Sequence, residues 1–208
     1  MLHDCSALAK NIDNIINLTN TFMNRYKQAS INNLNIVVIS DGYGSFVLNN
    51  SLFLTEDTIY NYQSLIHELI HTNWNIDCTT SIQRCRFFDE SIAQYFAYRI
   101  CDAYGFKNGD EIIQQFEADY QEIIKSYNLN DVPIAMFAEE GLADLSYSYG
   151  VLALIKIERL IGINQMDKCL ISMYKTNKVQ QFDFKLLRNE FPEIAHNLFN
   201  QVFYGFTN

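Results

Sequence analysis

The run His67-Glu68-Leu69-Ile70-His71 places two imidazoles four residues apart, with a carboxylate directly after the first. On a helix, positions i and i+4 lie one above the other on the same face, so two such imidazoles can grip one metal ion. Glu68 sits about 100° further around the helix, where it can reach a water on that ion without binding the ion itself. Zinc in such a site acidifies its water, and a neighbouring carboxylate can take the proton as the water attacks a carbonyl. The spacing therefore predicts metal-assisted hydrolysis, with His67 and His71 as ligands and Glu68 as general base. Two of the four histidines in the chain stand at this spacing. A further carboxylate, Glu90, follows His71 after eighteen intervening residues, in Phe88-Asp89-Glu90-Ser91-Ile92-Ala93-Gln94-Tyr95-Phe96. A carboxylate one helix away can complete a three-ligand site with an open fourth position. Asp89 is a neighbouring competitor, and acids also favour the first turns of helices for the sake of the helix dipole.

These side chains need helices to hold them. The flanks of the histidine pair, Leu65, Ile66, Leu69 and Ile70, supply apolar cover and contain no breaker. Apolar spacing predicts helices over 60–75, 88–104, 110–127, 146–161, 164–175 and 192–203, with breaks at Gly105 to Gly109 and Asn128 to Pro133. Ahead of them, residues 5–28 carry Leu8, Ile12, Ile15, Ile16, Phe22, Met23 and Tyr26 at helical spacing. Ile36 to Ile39 is a β-branched run that predicts a buried strand, ended by a turn at Asp41-Gly42. Ser45 to Leu48 and Leu52 to Leu54 can pair with it. The order is helix, small sheet, then many helices, which predicts an α+β unit.

With these blocks in order, the chain resembles the gluzincin zinc peptidases of the aminopeptidase N and leukotriene hydrolase branch. HExxH, eighteen residues and a glutamate within Asp89-Glu90-Ser91-Ile92-Ala93 match two motifs of that family. Its Tyr-x-Lys-Gly segment is similar to Tyr147-Ser148-Tyr149-Gly150, which opens the apolar run Val151 to Ile155. The resemblance spans roughly residues 35–175. It implies a thermolysin-like sheet followed by a helical zincin domain, one zinc ion on His67, His71 and Glu90, and an oxyanion donor at Tyr147. Tyr149 is the alternative donor if the register is shifted. The implied domain is a single catalytic unit over 1–208, with the N-terminal helix and sheet in 1–57 and the zinc-site helices in 58–208. The family's substrate strand is matched by Gly44-Ser45-Phe46-Val47-Leu48, so Gly44, Ser45 and Phe46 are the implied substrate contacts. The strand's amine-binding glutamate falls at Val47, which cannot pair with an ammonium ion. Asn73 replaces a family tryptophan, with Trp74 one residue later, and Tyr149 replaces the motif lysine. The resemblance implies a peptidase, and Val47 turns the expectation towards an endopeptidase or a processing peptidase. Two other readings stay open: an aminopeptidase clamping the amine through Glu139 or Glu140, and a non-catalytic binding protein on the same scaffold.

Composition predicts an ordered, acidic chain able to bury a real core. The 208 residues are 49% hydrophobic and carry a formal net charge of −9. Few basic clusters are present to neutralise phosphates or to meet an anionic membrane, so neither nucleic acid nor a membrane is an expected partner, and a peptide or protein substrate is what the resemblance implies. Neither a signal peptide nor a transmembrane stretch is visible at the sequence level, and a cytoplasmic location is expected. Cys5, Cys78, Cys85, Cys101 and Cys169 show no CxxC pair, which fits free thiols, with Cys78 and Cys85 close enough to bridge. His3 and His196 lie outside ligand spacing, and Asp77 or Asp89 can orient a ligating imidazole from behind.

Overall fold

Breaker-free apolar segments fold as helices in this chain, and the short β-branched and aromatic runs near the N-terminus fold as strands. The computed structural model describes residues 5–26, 31, 34–40, 42, 44–48, 51–72, 74, 82–129, 144–177 and 184–204. Helix α1, Cys5–Met23, passes into a 3-10 turn at Asn24–Tyr26, so the helix predicted over 5–28 ends earlier than its apolar spacing implied. Strands β1 (Asn35–Val38), β2 (Phe46–Leu48) and β3 (Ser51–Leu54) form one sheet in the order β1-β3-β2. β1 runs parallel to β3 and β2 runs antiparallel to it. β3 is thus the central strand, and β2 pairs with it rather than with β1. The buried strand expected at Ile36 to Ile39 is an edge strand instead: Val37 and Val38 are 39% and 58% exposed, while Leu52 and Leu54 of β3 are fully buried. Asp41 of the expected turn lies outside the described residues, as do Asn73, Asp77, Cys78, Glu139, Glu140 and His3.

The segment expected as one helix over 60–75 has two parts around a polar joint. Thr55 caps α2 (Glu56–Tyr60), and the Asn61 side chain accepts from Ser64 N at 3.2 Å to cap α3 (Tyr62–His71). Each cap satisfies a first-turn N–H that has no helical partner. Ser45 joins this arrangement: its hydroxyl donates to Thr58 Oγ1 at 2.7 Å and accepts from Thr55 N at 3.0 Å, which ties the approach to β2 to the start of α2.

Helix α4, Ile82–Ala103, begins six residues before the predicted start and runs through the middle of the core. Phe87, Phe88, Ile92, Ala93, Tyr95, Phe96, Ala97 and Ile100 are all fully buried. Apolar cover on every side is the signature of a helix surrounded by others. It packs against α3, against the π-helical turn Ser146–Gly150 and against α6 (Val151–Ile161). Helix α5 (Gly109–Ser126) is capped by Asn108, and α7 (Ile163–Asn177) follows α6 after Gly162, whose φ of 83° suits a residue without Cβ. Helix α8 (Phe184–Asn189) was not foreseen, because six residues show too little periodicity. Helix α9 (Glu193–Phe199) and a second π turn, Asn200–Tyr204, fill the segment predicted over 192–203. The architecture is α+β, a three-stranded sheet beside a predominantly helical body. Among the described residues, no helix is long and apolar enough to cross a membrane.

Candidate metal centre

Helix α3 buries Leu65, Ile66, Leu69 and Ile70 against the core, and this fixes its rotation. The remaining face, carrying His67 and His71, then meets α4. Glu90 projects from α4 into the same space. His67 Nε2 and His71 Nε2 stand 3.1 Å apart, and Glu90 Oε2 lies 3.0 Å from the first and 3.3 Å from the second. These atoms form the group of His, Cys, Asp or Glu side chains able to hold a metal ion among the described residues.

The chemistry of the donor set can be read from what stands behind it. His67 Nδ1 is 2.9 Å from Gln94 Oε1, an amide oxygen that only accepts. His71 Nδ1 is 3.4 Å from Asp89 Oδ2. Each contact draws the ring proton to Nδ1 and leaves Nε2 with a lone pair, the orientation in which an imidazole binds metal. Two nitrogen lone pairs and a carboxylate oxygen therefore converge on one point, which calls for a positive charge there. Ligands at about 2.0–2.1 Å around a tetrahedral zinc ion stand about 3.3 Å apart, and the three observed separations are close to that edge. The residues present fit a zinc ion.

The same contacts set the electrostatics of the site. Burial alone would push the Glu90 carboxyl up, but its contacts with the His67 and His71 imidazoles outweigh burial and hold it well below the usual carboxylate range. Burial would lower His71, yet the Asp89 and Glu90 carboxylates beside it win and raise it well above the usual imidazole value. Glu68 is half-buried beside this group, and burial is the main cause raising its carboxyl, opposed by the two histidines.

Tyr147 approaches from the other side. Its hydroxyl donates to Glu90 Oε2 at 3.1 Å, and its ring packs edge-on to His67 at 5.3 Å between centroids. Burial, then the Glu90 charge, raises the phenol far above its ordinary value, so it remains a donor. The π turn that carries it can lie this close to α4 because Gly150 has no side chain: a Cβ there would fall 1.9 Å from Ser91 Oγ and 2.9 Å from Ser91 Cβ. Ser91 fastens the crossing by donating to Phe87 O at 2.6 Å and Ser146 O at 3.1 Å. Tyr149, the alternative in register, points elsewhere and stacks on Tyr120 at 5.1 Å.

Solved structures share this arrangement of elements. A mutant M1 zinc metallopeptidase from Deinococcus radiodurans, solved with a Tyr-Ser-Ala substrate, superposes with a TM-score of 0.65 at 16% identity over 84% of this chain. The fold is M1-like. A two-domain M1 zinc metallopeptidase mutant bound to L-tryptophan gives 0.62 at 17% identity over 81% of the chain. Another structure of an M1 zinc metallopeptidase from Deinococcus radiodurans gives 0.59 at 14% over 82%. The chain spans 40%, 39% and 38% of these three structures respectively, and identities this low speak to the fold alone. No protein-family model matches the chain, and no curated protein does either.

Within the M1-like fold, the structure brings His67, His71, Glu90 and Tyr147 together and sets Glu68 beside them. Of the substrate strand implied by resemblance, Phe46, Val47 and Leu48 form the edge strand β2, which packs against α3. Gly44 and Ser45 precede the strand. The Ser45 hydroxyl is engaged by Thr55 and Thr58, and the Phe46 ring stacks on Phe53 at 4.6 Å. Val47 pairs with Leu52 across the sheet and packs on the core. His196 Nε2 bonds to Phe191 O at 2.9 Å and takes no part in the site. Gln94 was missed at the sequence level. Its signal was available, since it follows Glu90 by four residues and so shares its face of α4.

Proposed function

We propose that the chain is the catalytic core of a zinc-dependent peptidase, a compact gluzincin with a thermolysin-like layout, in which residues 1–57 and 58–208 act as one unit. The convergence of His67 Nε2, His71 Nε2 and Glu90 Oε2 within 3.3 Å, each imidazole oriented from behind, carries this reading. The M1-like fold supports it. His67, His71 and Glu90 would hold one zinc ion, which when bound supplies Lewis acidity to a substrate carbonyl and to a water. Glu68 takes the proton from the attacking water and returns it to the leaving amine. Its burial-raised carboxyl brings its proton affinity closer to that task. Tyr147 turns its phenol from Glu90 to the developing oxyanion. β2 presents a backbone edge to which an extended peptide can add, near Gly44, Ser45 and Phe46. With Val47 at the place of an amine-binding carboxylate, the site suits an endopeptidase or a processing peptidase.

The test pairs two variants. Glu68→Gln should bind zinc at the same stoichiometry as the unaltered chain and lose about a thousand-fold or more in kcat on a peptide library. His71→Ala should lose the zinc itself, measured by elemental analysis after dialysis. Equal, null turnover of the unaltered chain and Glu68→Gln would leave a binding protein. Full zinc retention in His71→Ala would overturn the site.

A further inference from the structure

Both π turns line one cavity away from the metal centre. Such turns are rare, and where they occur they frequently mark a functional site. Tyr149 comes from the first, Ser146–Gly150, and Val202 from the second, Asn200–Tyr204. Helix α5 supplies Glu117 and Tyr120, three residues apart and so on one face, and α6 supplies Leu152 and Lys156, one turn apart. The cavity holds about 410 Å³, a size that suits a small molecule.

Its lining is graded. Leu152 and Val202 are buried and form an apolar floor. Tyr120 and Tyr149 are half-buried, and their rings stack at 5.1 Å with 11° between the planes. Glu117 and Lys156 are exposed at the rim, on different helices, and neither makes an ion pair or hydrogen bond among the described residues. The complement of an apolar floor, an aromatic wall and one charge of each sign is a small molecule with a ring, an ammonium group and a carboxylate. A ring against the tyrosines contributes beyond its buried area, and the two charges fix its orientation.

We propose that this cavity binds a small aromatic zwitterion, the class to which free aromatic amino acids belong, with its ring against Tyr120 and Tyr149, its carboxylate at Lys156 and its ammonium at Glu117. The inference does not rest on the peptidase reading. Its ligand would lean on the turn that also carries Tyr147, which faces Glu90.

A titration followed by amide NMR decides it, on the protein with and without zinc. The probes are L-phenylalanine, phenethylamine, 3-phenylpropanoate and L-alanine. L-phenylalanine should shift amides of 117–121 and 149–156 in both preparations, and L-alanine, without a ring, should not. Phenethylamine and 3-phenylpropanoate should each bind about five-fold more weakly than L-phenylalanine. Lys156→Gln should weaken L-phenylalanine about five-fold and leave phenethylamine unchanged, because that probe has no carboxylate to lose. Glu117→Gln should weaken L-phenylalanine to the same degree and leave 3-phenylpropanoate unchanged. Both positions are exposed, so the variants should keep the fold, which the rest of the spectrum reports. Equal binding of the three ring-bearing probes would overturn the inference, as would an equal loss for all of them in either variant. Shifts confined to α3 and the start of α4, and lost in His71→Ala, would place the amino acid at the metal centre and also overturn it.

Discussion

Helix α4 bears two buried polar clusters, and they solve the same electrostatic problem in opposite ways. Around Arg99 the protein supplies its own cation. Arg99 Nη1 donates to Asp167 Oδ1 at 2.6 Å, and its Nε lies 3.8 Å from Glu158 Oε2. Tyr26 donates to Asp167 at 2.8 Å, and Tyr95 donates to Glu158. The cluster joins the 3-10 turn after α1 to α4, α6 and α7. Around Glu90 the carboxylates of Asp89 and Glu90 meet imidazoles, whose charge is conditional. The first cluster is closed by a residue that is always charged, while the second gathers a donor set that could hold a metal ion. Nine residues separate Arg99 from Glu90, about 13 Å along the axis, so one end of the helix can be a fixed clamp and the other a receptor.

That division can be broken most forcefully at Arg99. Arg99→Met leaves Asp167 and Glu158 without their cation and should cost about 3–5 kcal/mol in urea unfolding. At such a distance the effect should add to that of metal rather than couple to it. Zinc affinity falling in step with stability would show that the two ends are one cluster.

Metal linkage has the next largest effect. Zinc at about a hundred times its Kd should stabilise the unaltered chain by about 2.7 kcal/mol, read as a rise in Tm that a chelator reverses. His71→Ala should show no such rise. A chelator that strips the ion and leaves Tm unchanged would deny the receptor end its role.

A smaller effect lies at the crossing that holds Tyr147 to α4. Gly150→Ala should cost about 1–3 kcal/mol by overpacking. Ser91→Gly removes the two nearest atoms the new methyl would meet and leaves Phe87 Cζ at 3.2 Å, so a double-mutant cycle should show favourable coupling of about 0.5 kcal/mol or more. Strict additivity would mean that the close approach is relieved elsewhere.

The smallest effect tests the fixed end. Cys101, two residues past Arg99, is 1% exposed, and burial pushes its thiol up to about 12. A folded-state value above the unfolded one means that its contribution to stability is whole at neutral pH. That contribution fades as pH rises past the unfolded thiol value of about 8.5. Folded protein at pH 8 should therefore resist iodoacetamide at Cys101, with modification following unfolding, as mass spectrometry would show.

Much of the centre was legible in the sequence because its geometry is helical and local. The spacing of His67 and His71 needs only α3 to place both rings on one face, and Glu90 needs only that a second helix pass by. What lay hidden depends on contacts between elements. Gln94 is an ordinary polar residue until the α3–α4 packing places His67 beside it. Gly150 reads as a motif letter, and its reason is the position of Ser91, far away in sequence. The exposure of β1 was illegible for the same reason: Ile36-Val37-Val38 has the composition of a central strand, and only the order β1-β3-β2 puts it at the edge. Asn61 escaped notice because the apolar rhythm continues across it, and a single side-chain cap divides what periodicity joins.

The π turn at Ser146–Gly150 has a consequence for how this chain can change. Such a turn closes its hydrogen bonds one residue later than an α turn, so it holds a residue that the helix beyond it does not require. Losing that residue would swing the tyrosine about the axis and leave the inward face of α6 in step with the core. Placement of Tyr147 against Glu90 and packing of the helix behind it are thus separately adjustable, and a new geometry could be tried here without rebuilding the interior.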